Sequence, residues 1–369
     1  MNYKKLGDYI TQRREKNTTI NLPICGLCRE GLIPPKQQDA DISLYNVFYK
    51  NDFIFNPARM ELNSITLNTE YDKAICSSLY EIFYINDTSK LLPEFLFVQL
   101  KTDNFVRFCE FQGQGSVREY CRFANISEYP VIVPDLKEQQ KIVNTYNAIT
   151  KRIQLKQKMN ENLEKTAQCL FDKIYQNNES WTDGVISDLG EIVSGATPST
   201  EIKEYFCQNG IHWLSPKDLT STGYKFISKG ETDITEAGYK SCSTKLMPKG
   251  TVLLTSRAPV GCLGIAENEI CTNQGFKSII PNADIQTAYI YYFLKKEVEM
   301  LKQNASGTTF DEISGSVLKS LKCKIPPRNI ALAFNEQCKK IFNHQRITEK
   351  EIAELQELKQ LVISRISGM

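Results

Sequence analysis

Along the chain the spacing of apolar residues changes character twice, in the same order each time. Short runs rich in β-branched and aromatic residues come first: Phe53-Ile54-Phe55 and Tyr80 to Ile85 in one half, Thr251 to Thr255 and Ser278-Ile279-Ile280 in the other. Gly, Pro and Asn bound these runs, which predicts strands and turns. Helical spacing over Pro93 to Cys109 and over Ile285 to Lys302 predicts one helix beside each set of strands. After Pro134, and again after Pro326, the spacing becomes heptad-like. Ile142, Ile149, Leu163 and Leu170 recur at multiples of seven, with Tyr146, Ile153, Ala167 and Ile174 four residues on. Phe334, Ile341, Leu355 and Val362, with Cys338, Ile352 and Ile366, repeat the pattern. No Gly or Pro interrupts Lys137 to Asn177 or Arg328 to Ser367, so each stretch predicts one helix of roughly 40 residues and about 60 Å. Both seams turn polar in the middle, at Lys156 and Asn160 and at Gln345 and Thr348, where such residues set register rather than add stability.

The two halves are an internal repeat. The stretch starting at Val131 matches the one starting at Cys323, an offset of 192 residues set by Pro134 on Pro326, and the register holds without a gap to Ile174 on Ile366. Upstream, the same offset puts Gly115-Ser116 on Gly307-Thr308 and Ile126 on Leu318. Earlier matches are looser: Leu6-Gly7-Asp8-Tyr9-Ile10 resembles Leu189-Gly190-Glu191-Ile192-Val193, Asn56-Pro57-Ala58-Arg59 sits where Thr255-Ser256-Arg257 sits, and Ala74 to Ser77 parallels Glu269 to Thr272. The expected division is therefore globule 1–135, helix 136–178, globule 179–327 and helix 328–369, with α+β globules. Two similar globules carried on paired helices suit a ligand that presents two sites a fixed distance apart, and duplex DNA is the obvious one.

Composition narrows the class. A chain of 369 residues, 41% hydrophobic and 24% charged, is long enough for two cores and is not of a disordered or fibrous kind. No apolar run reaches the roughly 18 residues of a membrane span, and the first residues carry no signal-peptide segment, so a cytoplasmic protein with no membrane contact is expected. Its 12 cysteines are then reduced and mostly buried thiols. The net charge of +2 says nothing either way about nucleic acid.

Catalytic signatures are weak. Asn56-Pro57-Ala58-Arg59 has only the first two letters of an adenine methyltransferase motif, Gly113-Gln114-Gly115 lacks the third glycine of a dinucleotide loop, and no phosphate-binding Gly-Lys-Ser/Thr loop occurs. Ser256 as a nucleophile needs His212 or His344 as base, and His344 falls in the second long helix. Cys25-x-x-Cys28 has no second pair to complete a zinc site. No catalytic residue, metal ligand or cofactor is expected in this chain.

Several segments resemble the specificity subunits of type I restriction-modification systems: Gly195-Ala196-Thr197-Pro198-Ser199, Ile211 to Leu219, Leu253 to Gly261, Thr272-Asn273-Gln274-Gly275-Phe276, and the helix leaders Pro134 to Gln140 and Ile325-Pro326-Pro327. The second leader departs from the first, with Arg328 and Ile330 in place of leucine and glutamate. The resemblance implies two pseudo-symmetric target-recognition domains and two helices paired as an antiparallel coiled coil. It implies a non-catalytic subunit that binds a bipartite target on double-stranded DNA, one half-site per globule, with the helices as ruler. The partners implied are two methyltransferase subunits and, through them, restriction and translocase subunits; S-adenosylmethionine, ATP and Mg belong to those partners.

Side-chain chemistry nominates the contacts. Arg257 and Arg59 suit a guanine edge or a phosphate, and Asn273 and Gln274 carry amides that match adenine. Asn56, Ser77, Thr255 and Ser256 flank these groups, Trp213, Ser215 and Lys217 share one loop, and Arg118, Arg122 and Thr308 are phosphate candidates. Each has a structural alternative: a salt bridge for the arginines, a core position for Trp213, a turn for Asn273-Gln274. Two other readings stay open, an interaction scaffold whose helices oligomerise and an enzyme built from two half-domains.

Overall fold

The computed structural model describes residues 3–19, 21–28, 31–35, 41–113, 120–257, 259–305 and 312–367. The chain divides into two compact units, Met1–Gln154 with Ala353–Met369, and Leu155–Ile352. The long helices run Leu136–Tyr175 and Arg328–Ser367, and each contributes residues to both units.

The first unit holds an antiparallel sheet of strands Ile10–Arg13, Glu81–Ile85, Phe53–Phe55 and Ile65–Leu67, in that order. A second sheet is ordered Gly31–Ile33, Ile24–Cys28, Lys73–Cys76, Asn46–Tyr49, with the middle two strands parallel. Phe53 faces Phe83 across the first sheet with stacked rings 4.8 Å apart, and Phe55, Phe95 and Phe105 close the core over them. Ile142, Val143 and Tyr146 from the start of the first long helix, and Ile363 and Ile366 from the end of the second, pack into that same core, so the two helices pass antiparallel here. Arg13 clasps the two sheets: its guanidinium forks onto Asp52 at 2.6 and 3.0 Å and lies 4.7 Å from the rings of both Tyr49 and Tyr84.

The second unit repeats the plan with additions. Its larger sheet is ordered Gly190–Ser194, Lys277–Pro281, Val252–Leu254, Leu263–Ala266, Phe226–Ile227, and its smaller one Phe206–Cys207, Asp233–Ile234, Ile211–Leu214, Cys271–Thr272. The core is aromatic: Tyr289, Tyr292 and Phe293 pack with Phe171 and Trp181, and with Phe334 and Phe342. Phe171 meets Phe334 with ring centroids 5.5 Å apart, late in one long helix against early in the other, so the pairing is antiparallel here too. The polar seam is observed as expected at Gln345 and Thr348, which are 1% and 2% exposed.

Each single globule helix expected from spacing is two. The first divides into Pro93–Gln99 and Asp103–Gly113, because the Thr102 hydroxyl takes the Phe105 amide at 3.3 Å and starts a new helix. The second divides into Gln286–Lys296 and Val298–Gln303 around Glu297, whose ψ of 15° leaves the α-helical range.

Backbone hydrogen bonds correct one register. Leu6 donates to Tyr129 and Ile186 donates to Leu321, and Tyr129 and Leu321 differ by the 192 residues of the repeat. Asn86 donates to Tyr9, and Asn282 to Leu189, in the same way. Leu6 thus corresponds to Ile186, three residues from its look-alike Leu189. The shared Leu-Gly letters are a local coincidence, whereas the strand pairs Lys5 with Pro130 and Val185 with Lys322 fix the true match.

Each globule is tied to a long helix by one buried amide. Gln139, fully buried, accepts from the Leu92 amide at 2.8 Å and donates to the carbonyls of Lys90 and Pro134. The matching position in the second half is Ala331, and Asn335 one turn later does the same work, accepting from Ala288 and donating to Ile285 and Ala331 at 2.7 Å. Gln139→Ala strands three main-chain groups in an apolar setting and is expected to cost about 2 kcal/mol, read as a lowered urea midpoint of the first unit. An unchanged midpoint would show that the amide is dispensable.

Candidate nucleic-acid interface

In the second unit the four motif segments converge on one corner. Strand Val252–Leu254 runs into Thr255, whose hydroxyl donates to Pro259 at 2.6 Å and accepts from Cys262 at 2.9 Å, closing the turn. Ser256 is pinned on both sides, its amide on Gly275 and its carbonyl receiving the Ile313 amide. Gly195 passes so close to the Thr272-Asn273 backbone that an added Cβ would lie 2.1 Å from the Asn273 carbonyl oxygen. Ala196 donates to Thr272, the Trp213 indole donates to Ala196, and Asn273 donates to Leu214.

This packing leaves few side chains free to meet a ligand. Arg257 is half-buried, its backbone bridges Glu312, and its guanidinium has no ion pair among the described residues. Gln274 is exposed and accepts from the Thr197 hydroxyl, leaving its amide nitrogen open. Lys277, only 8% exposed, reaches the Gln274 carbonyl at 3.2 Å and Glu312 at 3.6 Å. Sequence reasoning missed Lys277; the signal was a lone lysine inside the apolar run Phe276 to Ile280.

Several nominated contacts are corrected by burial or prior bonding. Thr255 and Ser256 are 0% exposed, so neither reaches a ligand, and the Ser256 hydroxyl has no partner among the described residues, histidine included. Asn273 spends its side-chain oxygen on the Gly275 amide, Ser215 spends its hydroxyl on Asp218 at 2.6 Å as a helix cap, and the Trp213 ring packs edge-on to Phe206. Lys217 is exposed and pairs with exposed Glu231 at 3.1 Å, a surface contact of small energetic weight.

The first unit builds a comparable corner. Asn56 caps the 3-10 turn Pro57–Leu62 by accepting from Ala58, and Pro57 receives the Cys121 amide at 3.0 Å. That bond is the counterpart of Ile313 to Ser256, also 3.0 Å, because Cys121 and Ile313 differ by the same 192 residues. Arg59 projects into solvent without an ion pair among the described residues. It lies near Tyr80, whose phenol is pushed up mainly by burial while the Arg59 charge opposes. Arg122 stacks on Tyr120 at 5.2 Å and pairs with Glu81 at 3.4 Å, and Glu81 is itself held by Gln12 and by the Phe123 amide. The Ser77 hydroxyl accepts from Leu79. Arg118 and Thr308 lie outside the described residues.

Other chemistry finds little support among the described residues. No group of three or more His, Cys, Asp or Glu is placed to hold a metal ion, and all 12 cysteines are free. His212 faces Asp233 at 3.1 Å within its sheet. Among the described residues no helix is long and apolar enough to cross a membrane.

The family model described as the type I restriction modification DNA specificity domain matches the chain twice, over residues 36–165 and 178–360. The type I restriction enzyme MjaIX specificity subunit of Methanocaldococcus jannaschii is 47% identical over 150 residues, which are 40% of this chain and 34% of that relative. The chain thus aligns with about a third of that protein's length. The type I restriction enzyme HindI specificity subunit of Haemophilus influenzae is 21% identical over 379 residues, 81% of this chain and 82% of the relative. A type I restriction-modification S subunit from M. genitalium shares the fold, with a TM-score of 0.61 over 99% of this chain and 95% of that one at 13% identity. Two family matches, one on each half of an internal repeat and together covering most of the sequence, make this chain a member of the type I restriction-modification DNA specificity family, whose members are non-catalytic specificity subunits.

Proposed function

We propose that the chain recognises a bipartite sequence on double-stranded DNA, each globule reading one block, with the long helices setting the distance between blocks. The observation that carries this reading is the duplicated corner: an equivalent backbone bond, Cys121 to Pro57 and Ile313 to Ser256, supports an arginine-bearing turn in both globules. Arg59 and Arg257 are cations without ion pairs among the described residues, as a phosphate or a guanine edge requires. Gln274 supplies an open amide near Arg257, and buried Lys277 holds the Gln274 backbone in place.

The chain acts with methyltransferase subunits, two in number on the symmetry of the repeat, and through them with restriction and translocase subunits in the cytoplasm. A docking face is at hand on the first long helix, where Leu155, Met159 and Leu163 follow one another at four-residue spacing and the first two are 59% and 41% exposed. S-adenosylmethionine, ATP and Mg are held by those partners. The same stripe favours the second reading, a scaffold that binds only proteins, which predicts no salt-dependent affinity for DNA.

Co-expression with a cognate methyltransferase subunit, followed by sequencing of host DNA for methylated adenine, tests the proposal. A motif of two short blocks around an unspecified spacer is the expected result; stable complexes with no such motif refute it. Within that assay Arg257→Ala is expected to weaken the second block by roughly 10- to 100-fold, the 1–3 kcal/mol of a base contact, and to leave the first block unchanged. Equal weakening on every sequence, with the salt slope falling by about one, would instead assign Arg257 to a phosphate.

A further inference from the structure

The second unit buries a knot of charge where its globule meets both long helices. Lys225 precedes the edge strand Phe226–Ile227, and its side chain is 5% exposed. Its ammonium pairs with Glu164 of the first long helix, donates to Gln345 of the second at 2.8 Å, and donates to Tyr292 of the globule at 2.9 Å. Rings of Tyr291, Phe342 and Tyr292 surround it at 4.7 to 5.0 Å. Glu164 is also bound by Lys295, by the Gln345 amide at 3.0 Å and by the Tyr292 hydroxyl at 3.0 Å. The main-chain amides of Lys225 and Phe226 both donate to the Glu349 carboxylate, which takes Asn160 from the opposite helix at 3.2 Å.

Such a knot adds little net stability, but any slip of helix against helix, or of globule against helix, strands a buried charge. Apolar seams tolerate a slip far more readily. The first half does not carry these charges at the matching positions: Gln345 and Glu164 correspond to Ile153 and Gln356, and among the described residues the first unit's sheet of Ile10–Arg13, Glu81–Ile85, Phe53–Phe55 and Ile65–Leu67 has four strands, with none matching Phe226–Ile227.

We propose that Lys225 is a positioning residue that locks the second recognition globule to one place on the helix pair and so restricts the protein to one spacer length. This rests on the two-block reading above. The charged lock is one-sided: the first globule is held to its helices by the neutral Gln139 amide and by apolar packing instead.

The experiment uses the full chain in complex with its methyltransferase subunit. Lys225→Met keeps length and apolar fit among the rings and leaves Glu164 bound to Lys295, Gln345 and Tyr292; Gln345→Ala removes the second helix's contact and serves as an independent variant. Expected for both are unchanged block sequences with methylation spreading to spacers one base pair shorter and longer, at a tenth or more of the parental frequency. Amide exchange at Lys225 and Phe226 should rise at least tenfold while Val252 to Leu254 stay protected. A single spacer retained in both folded variants overturns the lock, as does unmoved exchange at those amides. A wild-type complex that shows no two-block motif sinks the functional reading instead.

Discussion

Gly195→Ala is expected to dismantle the second recognition corner. The new methyl would sit 2.1 Å from the Asn273 carbonyl oxygen, 2.2 Å from that of Thr272 and 2.4 Å from the Thr272 hydroxyl. The first two are backbone atoms, and the Thr272 side chain is buried, so nothing can yield cheaply. The Thr272 carbonyl is bonded to Ala196 and the Asn273 amide to Leu214, so relief of the overlap breaks the pairing that places Gln274 and Arg257. The cost is about 2–4 kcal/mol, overpacking plus lost buried hydrogen bonds. It should appear as a lower midpoint for the second unit and as loss of the second sequence block alone. Gly223→Ala is the control: its φ of +65° carries a modest penalty of about 1 kcal/mol, but the space around it is open, so it adds no overlap. If the two variants behave alike, close packing at Gly195 is not what holds the corner.

Glu164→Gln should produce the other large effect, and it should depend on pH. Burial by itself would raise the Glu164 carboxyl, but the charges of Lys225 and Lys295 outweigh it and hold the group down at about 2, from an ordinary 4.5. A carboxylate with a depressed folded value contributes stability that is complete above about pH 4.5 and is lost as pH falls toward 2. The difference amounts to about 3 kcal/mol. Burial pushes Glu349 in the opposite direction, so its protonation offsets part of the acid loss in both proteins, and the difference between wild type and variant isolates Glu164. At pH 7 the variant leaves Lys225, already lowered to about 8 by burial, without its main anion, and a loss of about 3 kcal/mol is expected. Between pH 4.5 and 2 the two stability curves should converge. Parallel curves across that window would mean that Glu164 is not held charged by the two lysines.

The two long helices, four of the sheet strands, the duplication and the arginine in each corner were legible from the residues alone, because each depends on period or on matched letters over a short span. The corner's details were not. Ser256 reads as an exposed hydroxyl beside Arg257, yet two backbone bonds from segments about 20 and 60 residues away, at Gly275 and Ile313, turn it inward. The roles of Lys277 and Lys225 are not legible from their neighbours in sequence. Both are defined by partners far along the chain, Glu312 in one case and Glu164, Tyr292 and Gln345 in the other.

The transfer of the helix clamp from Gln139 to Asn335 makes the same point. A reader of the sequence sees only that the second leader departs from the first, whereas the structure shows the lost amide replaced one turn later, aimed at the same end of the globule helix. Apolar periodicity is a local property and survives in the order of residues, so the sequence by itself determined the α+β globules, the two 40-residue helices and their repeat. Burial of a hydroxyl, the partner of a charge and the true register of Leu6 on Ile186 depend on which distant segments close over each residue. Only the tertiary structure decided those, because a polar group's role follows from its desolvation and its hydrogen-bond partners rather than from its neighbours in sequence.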